Sequence, residues 1–91
     1  MRLTQKEIEI IKNTINRYIK DSKIYLFGSR LDDNKKGGDI DIFIISQENS
    51  YELKIKIRSK LKYLLHKPID IIFHKDFKKD IEKEALKGIL L

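Results

Sequence analysis

The sequence predicts an α/β domain, with a small β-sheet of three to four strands and helices flanking it. Three observations predict it. Apolar residues recur at helical spacing in some segments and in short, β-rich runs in others, and the two kinds of segment alternate along the chain. At 91 residues with 41% hydrophobic content, the chain suits one core that removes somewhat over ~60% of the unfolded surface from water. No repeat, linker or low-complexity stretch divides it, so residues 1–91 read as a single domain.

The first helix is expected to start near Thr4, because Thr4 and Glu7 have capping-box spacing. Ile8, Ile11, Ile15, Tyr18 and Ile19 then fall on one face, and Asp21-Ser22 ends the segment. Lys23 to Phe27 (KIYLF) reads as a strand closed by Gly28. The polar SRLDDNKKGG that follows predicts a short helical turn from Ser29 and then a loop at Lys35 to Gly38. Asp39 to Ile45 (DIDIFII) is the second strand, and SQENS is a turn.

Leu53, Ile57, Leu61, Leu64 and Leu65 predict a helix from about Ser50 to Leu65. His66-Lys67-Pro68 stops it, since proline lacks a donor and pushes the preceding residue out of the helical region. Ile69 to Phe73 (IDIIF) is the third strand. Phe77, Ile81 and Ala85 mark a last helix capped at Gly88, and Ile89 to Leu91 suit a terminal strand.

Composition limits the function classes. No window approaches the ~20 consecutive apolar residues of a membrane span, and MRLTQKEIEI is too charged for a signal peptide, so a cytoplasmic protein is expected. The lack of cysteine excludes disulfides and thiolate metal sites and agrees with a reducing compartment. A formal charge of +6 attracts anions, although lysines interspersed with glutamates along helical segments also describe a solvated face. No stripe of interleaved aromatic and basic residues marks a specific nucleic-acid surface. An oligomer is compatible with the sequence.

The candidate chemistry lies in carboxylates that interrupt apolar strands. Asp39 and Asp41 share one face of the second strand with Phe43 and Ile45, whereas Ile40, Ile42 and Ile44 share the other. At the strand's start they are either solvated capping residues or ligands. Asp70 interrupts the third strand in the same way. If the two strands pair, Asp39, Asp41 and Asp70 form an acidic triad on one face, whose mutual repulsion a divalent cation reverses. Oxygen-only ligands select Mg²⁺ or Mn²⁺, and a pair of such ions ~3.5–4 Å apart supports in-line displacement at phosphorus.

Gly28-Ser29 offers backbone N–H groups and a hydroxyl to phosphate, although the dipeptide alone is also an ordinary turn. There is no G-x-x-x-x-G-K-[ST] loop and no G-x-G-x-x-G fingerprint. A calcium loop starting at Asp32 fails, because it puts Lys36 and Phe43 at ligand positions five and twelve. His66 and His74, flanking the third strand, read as structural or surface residues rather than as zinc ligands or catalysts.

Phe27-Gly28-Ser29, a polar spacer of nine residues, Asp39-Ile40-Asp41-Ile42 and the later Asp70 together resemble the minimal nucleotidyltransferases of the polymerase-β superfamily. The likeness runs over nearly the whole chain, to the closing EALKGILL. One departure is Gly37-Gly38 before Asp39, where the family commonly has a serine.

The resemblance implies a polymerase-β-like fold with a mixed sheet. It implies that Gly28 and Ser29 bind a nucleoside triphosphate, with Arg30 contacting phosphate unless it pairs with Asp32 or Asp33. It further implies that Asp39 and Asp41 hold two Mg²⁺ ions, and that Asp70 completes the metal site and helps deprotonate the acceptor. Family members of this size are often paired with a helical HEPN toxin, so an antitoxin that transfers AMP from ATP to a tyrosine of such a partner is expected. The alternative is a catalytically silent module that neutralises the partner by contact.

Overall fold

The computed structural model describes residues 3–28, 40–75 and 79–91. Helix α1 (Gln5–Tyr18) begins at the expected capping box: the Thr4 hydroxyl accepts from the Glu7 N–H at 3.1 Å, and the Thr4 N–H donates to Glu7 Oε1 at 3.1 Å. Its buried residues are Ile11, Thr14 and Ile15, followed by Ile19 beyond its end, whereas Tyr18 is turned largely outward. Strands β1 (Lys23–Phe27) and β2 (Ile40–Ile45) follow, then helix α2 (Tyr51–Leu65), which Ser50 caps by accepting from the Leu53 N–H. Helix α2 stops where His66 takes a left-handed conformation (φ 55°) ahead of Pro68.

Strand β3 (Ile69–Phe73), helix α3 (Asp80–Leu86) and strand β4 (Ile89–Leu90) complete the described elements. The sheet has four strands in the order β3-β2-β1-β4. It is mixed: β1 is antiparallel to β2 and β4, and β2 is parallel to β3.

Strand β2 is central and covered on both faces. Ile40, Ile42 and Ile44 join Ile11, Ile15 and Ile19 and the α2 residues Ile57, Leu61 and Leu65 in the main core. On the opposite face Phe27, Phe43 and Ala85 form a second cluster beneath α3, flanked by Tyr25, Ile45 and Ile72. Burying an Ile or Phe fully is worth ~1.5–3 kcal/mol relative to leaving it exposed, so these two clusters determine which way the strands face.

Helix α3 departs from the expected pattern. Its inward residues are Glu82 and Ala85, and Ile81 is 45% exposed. The reason is polar: Glu82 is drawn inside by His74, whose Nδ1 lies 2.6 Å from Glu82 Oε1, and by the Lys75 N–H at 3.3 Å. Phe77, expected to join this helix, lies outside the described residues. Gly88 does not take the left-handed conformation of a glycine cap. It is needed for space, because a Cβ there would overlap the Leu26 carbonyl where the chain turns from α3 into β4.

Candidate active site

Strand β1 ends at the sheet edge where β2 and β3 begin, because β1 runs against β2 whereas β2 and β3 run together. Register then brings three positions abreast: Phe27 opposite Asp41, and Asp41 beside Asp70. Residues paired across strands share a face, so Asp41 and Asp70 project together on the α3 side, with adjacent strands ~4.8 Å apart. Asp41 is half-buried and Asp70 exposed, which opens the pair to solvent at the rim of the sheet.

Gly28 closes this edge. Its φ of 84° is a conformation that side chains resist, and an added Cβ would overlap the Asp41 carboxylate, with Asp41 Cγ only 3.0 Å away. The end of β1 is therefore packed directly on the carboxylate of β2. Gly28, Asp41 and Asp70 make one cluster, built from residues 13 and 29 positions apart. Asp39, Ser29 and Arg30, the other expected site residues, lie outside the described residues.

Among the described residues, the side-chain oxygens that meet here are those of Asp41 and Asp70, and carboxylate oxygens suit a hard divalent ion. Among the described residues no group of three ligating side chains forms. Both histidines stand apart from the Asp41 and Asp70 pair. His66 ends α2, and His74 sits past the far end of β3, where its N–H donates to the Ile44 carbonyl at 2.9 Å and its ring meets Phe43 edge-on.

The sequence model of the family described as polymerase beta, nucleotidyltransferase matches residues 9–91. The chain belongs to the polymerase beta nucleotidyltransferase family. The mixed four-stranded sheet with flanking helices is the fold expected of it, and membership places its chemistry in nucleotide transfer, with a nucleotide as substrate. No curated protein matches the chain. Among the described residues of this nucleotidyltransferase no helix is long and apolar enough to cross a membrane.

Two supporting contacts of the nucleotidyltransferase were not readable from its sequence. Glu82, 1% exposed, sits in the run KKDIEKEALKG, whose charges resemble a solvated face; the only cue is its i, i+3 spacing to Ala85. The second is an ion pair of Glu7 with Lys67 at 2.6 Å, sixty residues apart. Burial pushes the Glu7 carboxyl up, but the Lys67 hydrogen bond, the Thr4 N–H and the Lys67 charge outweigh it, holding the group below its ordinary value of 4.5.

Proposed function

We propose that this chain, acting as one minimal nucleotidyltransferase domain, transfers AMP from ATP to a tyrosine hydroxyl of a HEPN-type toxin and thereby serves as its antitoxin. The observation that carries the transferase part is the pairing of Asp41 with Asp70 beside a glycine packed on the Asp41 carboxylate. The protein acceptor and its HEPN character rest on the resemblance to minimal family members.

In this reading the missing side chain of Gly28 leaves room for the Asp41 carboxylate, and the Gly28-Ser29 backbone, the Ser29 hydroxyl and the Arg30 guanidinium bind the triphosphate tail. Asp39, Asp41 and Asp70 would hold two Mg²⁺ ions, or Mn²⁺, which when bound would supply Lewis-acid polarisation and neutralise phosphate charge. The acceptor oxygen attacks the α-phosphorus, its proton passes to Asp70, and the bond to the leaving pyrophosphate breaks. Exposure of Asp70 supports its role as proton acceptor, and half-burial of Asp41 supports a fixed ligand.

Incubation with α-labelled ATP, Mg²⁺ and the product of the neighbouring gene should label that product, and Asp41→Asn or Asp70→Asn should abolish labelling. An unlabelled partner with the wild type, or equal labelling by the variants, refutes the transfer. Full protection of cells by an Asp41→Asn/Asp70→Asn double variant would instead make the chain a binding module that acts without catalysis.

A further inference from the structure

We propose that Glu7 and Lys67 are positioning residues for the acidic edge, forming a tether from the first turn of α1 to the starts of β2 and β3. The catalytic consequence rests on the transfer reading above; the tether itself does not.

Glu7 is fixed at both oxygens. Oε1 accepts from the Thr4 N–H at 3.1 Å and the Thr4 hydroxyl at 3.3 Å, and Oε2 takes Lys67 Nζ at 2.6 Å. The pair is largely shielded, with side chains 17% and 31% exposed, so solvent screens it less than a surface pair. Lys67 stands between His66, held left-handed at the end of α2, and Pro68, whose φ is locked. A displacement of Lys67 therefore passes along the chain rather than being absorbed by it.

Two paths lead from that point to the carboxylates. Along the chain, Asp70 lies three residues beyond Lys67. Across the sheet, the Pro68 carbonyl accepts from the Ile40 N–H at 2.9 Å, the first rung of the β2–β3 pairing, and Ile40 immediately precedes Asp41. The tether thus bears on both strand starts at once. Gly28, at the end of β1, meets the tether through its packing on Asp41, so loss of the tether should disturb the carboxylates more than the end of β1.

Three variants separate positioning from general stability. Glu7→Gln keeps a side chain able to complete the capping box, Lys67→Met keeps the stem without the charge, and Lys67→Arg keeps the pair. Amide hydrogen exchange is expected to accelerate on the order of fivefold at Ile40 and Asp70 in Glu7→Gln and Lys67→Met, with Leu61 and Ile15 unchanged and with Lys67→Arg like the wild type.

In the labelling assay the same two variants should lower kcat on the order of fivefold with the KM for ATP within about twofold, and Lys67→Arg should restore it. Unchanged exchange at Ile40 and Asp70, or equal acceleration at all protected amides, would overturn the tether. Local acceleration with full kcat would overturn its link to the reaction. If the wild type transfers nothing, the exchange result alone decides the tether, and the transfer reading fails separately.

Discussion

Replacing Gly28 with alanine tests the packing of the end of β1 on the Asp41 carboxylate. Two costs add. A side chain at φ 84° resists that conformation by ~1–2 kcal/mol. The new Cβ would overlap the Asp41 carboxylate, and because Cγ and Cβ of Asp41 would also lie at 3.0 and 3.3 Å, rotating the carboxylate alone does not clear it. Forcing Asp41 off its rotamer adds ~1 kcal/mol, for a total of ~2–3 kcal/mol.

In a domain of this size that lowers Tm by roughly 10–20 °C, readable by thermal and urea unfolding. The second term vanishes when Asp41 is cut back, so in an Asp41→Ala background Gly28→Ala should cost only ~1–2 kcal/mol, leaving a coupling of ~1 kcal/mol. A cost below ~0.5 kcal/mol, or the same cost in both backgrounds, would show that the glycine and the carboxylate are not packed together.

Three further outcomes follow from particular contacts. Mg²⁺ or Mn²⁺ should raise the Tm of the wild type in a concentration-dependent way, and Asp41→Asn and Asp70→Asn should each lose most of that rise; an equal rise in all three proteins would refute ion binding at the pair. Glu82→Ala, which strips the His74 ring and the Lys75 N–H of a buried acceptor, should cost ~2 kcal/mol by urea unfolding, and a neutral substitution would mean that the contact holds nothing. Glu7 is held below 4.5 when folded, so its stabilisation is fully present above 4.5 and is lost as pH falls through the folded value; in Glu7→Gln that part of the acid limb should flatten.

Most element boundaries were legible because they are set within a few residues. The Thr4–Glu7 capping box and His66-Lys67-Pro68 act over three or four positions, and the structure begins α1 and ends α2 there; α2 starts just after the expected Ser50, and α1 ends at Tyr18, ahead of the expected Asp21-Ser22. Asp41 and Asp70 stood out for a different reason: each is a charge interrupting an apolar β-run, and the structure sets them side by side on one face, Asp41 half-buried and Asp70 exposed. Glu82 carried no such mark, since a glutamate among lysines on a helix is ordinary until a histidine from another element turns it inward.

By itself the sequence determined the elements, the anomalous carboxylates and the family pattern, all of which are local or additive along the chain. The tertiary structure decided the parallel register that sets Asp41 beside Asp70, the contact of Gly28 with Asp41 and the bond from Glu7 to Lys67. A strand repeats every two residues, so pairing slipped by one would send Asp70 to the opposite face from Asp41. What prevents that slip is the burial of Ile40, Ile42, Ile44 and Ile71 against α1 and α2, a collective packing energy that no single segment contains.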